Sequence, residues 1–301
     1  MRTISLRSAP LRRKERSQEA LGKTYETHFP SKSYATCRNV KLSPLHFKLL
    51  ERRAVFRDVS GWESPMYYSD KDQGNPPPPP QYSFGREENF AAWKKEHFHI
   101  RKKVGLIDMS FMSKFEVVGN DAGDFLNHLA TSDVDKVCGE IQYTQLLDDD
   151  GYMQADLTIC KLAEDRFLIV VTDTQHNHVL QHLKKRLDRK SHCFINDVTN
   201  KYAQINLMGP RSRELMEKLS LSSNGEFSNE GFKFREAKEI EVGYCNVLAV
   251  RITYVGEVSE RSDGYRHDGY IHALLSKSLL LRSGAVGLGT VCADGDGRER
   301  V

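Results

Sequence analysis

Residues Glu140 to Leu162, EIQYTQLLDDDGYMQADLTICKL, constrain the fold more than any other stretch of this chain. Gln142, Thr144 and Leu146 alternate with Tyr143 and Gln145, the period-two pattern of a strand with two unlike faces. Asp148-Asp149-Asp150-Gly151 then supplies a tight acidic turn, so a second strand from about Met153 to Leu162 returns antiparallel to the first. Asp156 falls inside that second strand. A carboxylate has low strand propensity and is costly when buried unpaired, so Asp156 faces solvent, bonds a neighbouring turn or serves a function.

The elements around the hairpin follow from pattern. Upstream, Glu87 to Val104 predicts a helix with Phe90, Trp93, Ile100 and Val104 as its apolar stripe. Leu106 to Val118 predicts a strand, and Asn120 caps a short helix carrying Ala122, Phe125, Leu126 and Leu129 on one face. Downstream, Arg166 to Thr172 is a continuous apolar run suited to a central strand buried on both faces. Asp173 or Thr174 caps the next helix, striped by Val179, Leu180, Leu183 and Leu187 and basic at its end. His178 and His182 on that helix have i, i+4 spacing but no accompanying third ligand, so they read as a solvated face and not as a metal site. Strands at Cys193 to Thr199 and Ala203 to Met208, a Gly209-Pro210 turn and a helix to about Leu219 repeat the outline. Strands at about Glu239 to Val242 and Tyr244 to Tyr254 follow. This order implies an α+β fold with split β-α-β units and helices on one face of antiparallel sheets.

At 301 residues the chain can bury one large core or two smaller ones. A net charge of +3 is too small an excess to mark a nucleic-acid binder. No run of 18 apolar residues exists, so no transmembrane helix is expected. The six cysteines are scattered without a C-x-x-C pair, which argues against zinc and disulfides and for a reducing compartment. The first sixteen residues hold five arginines and Lys14 against one acid, Glu15, the composition of a mitochondrial transit peptide or of a disordered basic tail. Gly22 to Tyr68 is polar, irregular and studded with aromatics, with a short helix starting at Ser43-Pro44. Pro76 to Pro80 is an extended linker. Gly284 to Gly289 lacks the G-x-G-x-x-G spacing and reads as tail.

An ordered series of motifs resembles a known family. Val104-Gly-Leu-Ile-Asp-Met-Ser110, Gly151-Tyr-Met-Gln-Ala-Asp-Leu-Thr158, Leu207-Met-Gly-Pro-Arg211 and Ile252-Thr-Tyr-Val-Gly-Glu257 resemble the folate-binding aminomethyltransferase domain of the glycine-cleavage T-protein. That domain is also carried by dimethylglycine and sarcosine dehydrogenases. Gly22 to Pro30, Ser43-Pro44-Leu45 and Gly61 to Pro65 resemble the connecting module of the flavin-linked members, most of all the pyruvate dehydrogenase phosphatase regulatory subunit.

The resemblance implies tetrahydrofolate as cofactor, with Asp156 assisting one-carbon transfer and Glu257 bonding the pterin. Tyr143, on the facing strand, either lines the same pocket or packs across the strands. It implies four segments: a basic tail or transit peptide (1–21), a connecting module with the Pro-rich linker (22–86), the aminomethyltransferase-like domain (87–257) and a divergent tail (258–301). No flavin-binding region precedes Gly22, so no FAD and no amine oxidation are expected of this chain. After Glu257 the family pattern lapses, as in a C-terminally truncated domain. The partners implied are folate, and either the pyruvate dehydrogenase phosphatase catalytic subunit or a flavin dehydrogenase. The location implied is the mitochondrial matrix. Three functions stay open: one-carbon transfer, regulation of a phosphatase without catalysis, or a shortened gene product.

Overall fold

A computed structural model describes residues 9–69, 82–220, 225–243, 245–253 and 270–276. The chain divides into two compact units, Met1–Phe98 and His99–Val301. Glu257, the proline run and the Gly284–Gly289 stretch lie outside the described residues.

The first unit contains α1 (Ala9–Gly22), α2 (His46–Glu51), β1 (Ala54–Val59) and β2 (Trp62–Tyr68). The segment carries no clean alternation in sequence, yet β1 and β2 form an antiparallel hairpin. Its turn is Ser60-Gly61, with φ of 50° and 84° at the two residues. Two successive positive φ values match the twist of paired strands, and Ser-Gly carries no signal as strong as Asn-Gly. α2 begins at His46 rather than at Pro44, and the Ser43 hydroxyl accepts the Leu45 N–H at 3.2 Å. Helix α1 is stitched to the unit by charge. Arg16 donates to Asp58 at 2.9 Å and lies over the Tyr34 ring, while the Glu19 carboxylate accepts the backbone N–H of Ala35 at 2.7 Å and of Thr36 at 2.8 Å.

The division between the units falls within α3 (Phe90–Lys102). None of its residues is fully buried, and Trp93 is 59% exposed, so the expected apolar stripe is not a core stripe. Val104 is buried but stands beyond the helix end.

The second unit holds two five-stranded antiparallel sheets. One comprises β4 (Ser113–Val118), β5 (Ile141–Leu147), β6 (Met153–Ala163), β7 (Arg166–Val171) and β8 (Phe194–Asp197), in the order β5-β6-β7-β4-β8. The other comprises β3 (Gly105–Asp108), β9 (Tyr202–Met208), β10 (Glu236–Val242), β11 (Cys245–Ile252) and β12 (Tyr270–Ser276), in the order β10-β11-β12-β9-β3. The helices are α4 (Ala122–Leu129), α5 (His176–Arg186) and α6 (Ser212–Leu219).

The run from Leu106 to Val118, expected as one strand, is two strands in different sheets. The Asp108 carboxylate accepts the Ser110 N–H at 3.0 Å and Met112 N–H bonds the Met109 carbonyl at 3.0 Å, so a side-chain-made turn breaks an apolar run. β12 falls inside the segment read as divergent tail. It pairs with β9 and β11 and completes that sheet.

Alternation on the central strand β7 organises the packing. Phe167, Ile169 and Val171 face a core that includes Ala122, Leu126 and Leu129 of α4 and Val179 and Leu183 of α5. Leu168 faces the other way, into a cluster with Ile141, Cys160, Ala237 and Val250 that joins the two sheets. Helices therefore cover one face of the β5–β8 sheet and the second sheet covers part of the other. His182, expected on a solvated face, is 5% exposed, because α5 buries its Val179-His182-Leu183 stripe.

Candidate functional site

The β5–β6 hairpin forms where the alternation placed it, with Gly151 at φ 82° in the turn. Register fixes which side chains share a face. Ile141 pairs Cys160, Tyr143 pairs Thr158 and Gln145 pairs Asp156, so these six residues lie on the face that meets the second sheet. Burial falls along that face: Cys160 is buried, Thr158 half-buried and Asp156 exposed. Among the described residues the covering sheet thus ends before Asp156, which stands in the open margin of the inter-sheet layer.

There the structure brings together two of the three sequence-chosen residues. The Tyr143 hydroxyl donates to Asp156 Oδ2 at 2.8 Å, across the diagonal of the strand pair. Tyr143 is 59% exposed, so its ring is not simply a packing residue. A carboxylate held by a phenol on an open face can accept an N–H from a bound small molecule through its free lone pairs. Among the described residues, no group of three or more His, Cys, Asp or Glu side chains is arranged to hold a metal ion, and no helix is long and apolar enough to cross a membrane.

A β-bulge interrupts the hairpin beside this pair. Leu146 pairs Ala155 and Leu147 pairs Met153, leaving Gln154 as the extra residue. Its amide N–H donates to Asp148 at 2.6 Å, and its carbonyl oxygen accepts from His178 Nε2 at 3.0 Å. Sequence reading missed this arrangement, since nothing local marks a bulge at glutamine.

It also passed over Lys114. In register, Lys114 faces Val170, which faces Thr158, which faces Tyr143, one row across four strands. The side chain is fully buried, with Nζ donating to the carbonyls of Met112 at 2.7 Å and Ser110 at 3.3 Å. Burial pushes its pKa down to about 7, partly offset by the charge of Asp108. Lys114 and Glu116 alternate with Phe115 and Val117, the pattern of a half-solvated strand, so nothing in the sequence marks this lysine as buried.

The chain belongs to the GCVT N-terminal domain family, which matches residues 45–259. Three relatives resemble it. A 4-methylaminobutanoate oxidase (formaldehyde-forming) of Paenarthrobacter nicotinovorans is 34% identical over 81% of this chain and 29% of its own length. Human mitochondrial sarcosine dehydrogenase is 28% identical over 84% of this chain and 31% of its own. The mouse mitochondrial pyruvate dehydrogenase phosphatase regulatory subunit is 29% identical over 81% and 28% respectively. The chain thus spans about three-tenths of the length of these relatives. Among solved structures, the glycine cleavage system aminomethyltransferase T of Bartonella henselae superposes with a TM-score of 0.60 at 22% identity, covering 82% of this chain and 58% of that one, and so shares the fold.

Proposed function

We propose that the chain binds tetrahydrofolate at the Tyr143–Asp156 margin and assists transfer of a one-carbon unit to it. The observation that carries this reading is the Tyr143-held carboxylate on an open face, 2.8 Å between the two oxygens, in a member of the GCVT N-terminal domain family. Asp156 fits the folate nitrogens chemically: its carboxylate accepts an N–H, orients the nitrogen and takes up a proton as the new C–N bond forms. Tyr143 lines the pocket and fixes the carboxylate rotamer. Glu257, outside the described residues but inside the family match, takes the donor-rich edge of the pterin. The amine-derived adduct comes from a partner such as a flavin dehydrogenase.

The test is thermal unfolding with and without excess tetrahydrofolate. A ligand at about a hundredfold over its Kd adds roughly 2.7 kcal/mol to the folded state, a rise of a few degrees. The rise should vanish in Asp156→Ala and Glu257→Ala; a folded Asp156→Ala that keeps it would overturn the assignment.

A second reading rests on the relative named as a phosphatase regulatory subunit. In it the chain is a non-catalytic partner of the pyruvate dehydrogenase phosphatase catalytic subunit. Co-purification of the two from a mitochondrial extract supports it, and tetrahydrofolate binding without such association counts against it. Under both readings the protein works in the mitochondrial matrix; the human and mouse relatives carry 'mitochondrial' in their names, which supports the organelle. Import of the radiolabelled chain into isolated mitochondria tests that location.

A further inference from the structure

We infer that Gln154 and His178 form a clamp that positions Asp156, an inference that rests on the one-carbon reading of the Asp156 site. Gln154 is the bulged residue, two positions before Asp156 in β6. A strand alternates faces with a period of two, so the extra residue sets which face Asp156 and Thr158 present. Whatever holds the bulge holds the aim of Asp156.

Two contacts hold it, and they fix each other. Asp148 only accepts, so the Gln154 atom 2.6 Å away is its NH2 nitrogen, and the amide oxygen is left to face His178 Nε2 at 3.0 Å. His178 therefore carries its proton on Nε2 and donates. This ring is mounted on a rigid support. Its neighbour Val179 and the nearby Leu183 are both fully buried in the core. Its ring stacks on that of His182 with centroids 6.4 Å apart, and His182 Nδ1 accepts from Arg186 at 3.2 Å. Arg186 also pairs with Asp149 at 3.3 Å, so the acidic turn is tied to α5 at two points. The histidine pair at i, i+4 thus has a use that needs no metal: it carries the helix-side jaw of the clamp.

Gln154 and His178 are positioning residues, since neither touches the face on which Asp156 and Tyr143 stand. The readout is the Tyr143 Cζ resonance in full-length protein labelled with 13Cζ-tyrosine, assigned with Tyr143→Phe and calibrated with Asp156→Asn. Gln154→Ala and His178→Ala should each move the Tyr143 resonance toward its Asp156→Asn position. The double variant should move it no further than Gln154→Ala alone, because both changes open one clamp. Tetrahydrofolate Kd should rise in all three, by up to about tenfold for one lost hydrogen bond. A wild-type Tyr143 resonance in either folded single variant overturns the clamp, as does an additive double variant. His178→Ala, which leaves the Asp148 contact in place, keeps the test decisive should Gln154→Ala fail to fold. If the wild-type chain binds no tetrahydrofolate the one-carbon reading fails, and the resonance still decides whether Gln154 and His178 position Asp156.

Discussion

Lys114 makes the stability of the second unit rise with pH, the same sense as ordinary acid denaturation but in a window that lies near and above neutrality. Its pKa is about 7 in the folded chain against a usual 10.5. Between those values the unfolded chain holds a proton that the folded chain does not, so stability rises with pH across that window. The full gap of about 3.5 pH units corresponds to about 4.8 kcal/mol at 1.36 kcal/mol per unit. From pH 6 to pH 9 the expected gain is about 2.6 kcal/mol, nearly all of it above pH 7. Lys114→Met removes the titrating group at similar volume. It also leaves the Ser110 and Met112 carbonyls without their donor, at a cost of about 1–3 kcal/mol. That cost does not change with pH, so the test is the slope and not the absolute stability. Urea unfolding of wild type and Lys114→Met at pH 6, 7, 8 and 9, followed by far-UV circular dichroism, should show the difference between them shifting by about 2–3 kcal/mol in favour of wild type. Other titrating groups are common to both chains and cancel. Parallel pH profiles would refute the reasoning and mean that the buried amine keeps its ordinary affinity for protons.

Glu19 should give a slope of the same sign in an acidic window, and there the lowered pKa marks a charge that the fold stabilises. Burial works to raise its pKa, but bonds from Lys23, Thr36 and the Ala35 and Thr36 amides outweigh it and hold the pKa at about 2. Its contribution is present above about pH 4.5 and is lost as pH falls toward 2, so Glu19→Gln should cost the first unit about 1–2 kcal/mol at neutral pH and nothing near pH 2. Gly209→Ala should be severe, about 3 kcal/mol or more, since φ is 121° and the new Cβ would lie 2.3 Å from the Lys103 carbonyl oxygen. Calorimetry that finds it neutral would mean the turn relaxes freely. Asp156→Ala, at an exposed position, should cost less than about 1 kcal/mol while abolishing the tetrahydrofolate shift.

The hairpin, the central strand β7 and the α4 and α5 stripes were legible because each is decided by local periodicity. The break at Asp108 was not, because an apolar run and a side-chain-made turn coexist there, and the turn wins by satisfying the Ser110 N–H. β12 was not legible because its place depends on pairing with β9 and β11, partners distant in sequence. β1 and β2 were missed for lack of clean alternation, with Arg57 and Asp58 adjacent and Pro65 inside the second strand. At the site, Asp156 stood out as a misfit carboxylate and Tyr143 through its position on the facing strand. Gln154 and Lys114 fit their surroundings locally, and only the register shows what they hold.

One face of one sheet accounts for both the packing and the proposed chemistry. Ile141, Cys160 and Leu168 on that face join the second sheet through Ala237 and Val250. Continuing the same alternation from Cys160 through Thr158 to Asp156 carries the strand from under that cover into the open. The alternation that buries a thiol at one end therefore exposes a carboxylate at the other. The row through Tyr143, Thr158, Val170 and Lys114 crosses the margin in the perpendicular direction: Lys114 lies fully covered and Tyr143 is exposed. A polar site built this way needs no dedicated loop. It requires the face to be longer than its cover and the register to hold, and the bulge at Gln154 is where the register is set. A change that slipped β6 by one residue would exchange Asp156 with Ala155 or Leu157, put the carboxylate into the α4–α5 core and expose a core residue in its place. Folding and site assembly are thus one event for this hairpin, and its register is under constraint from both.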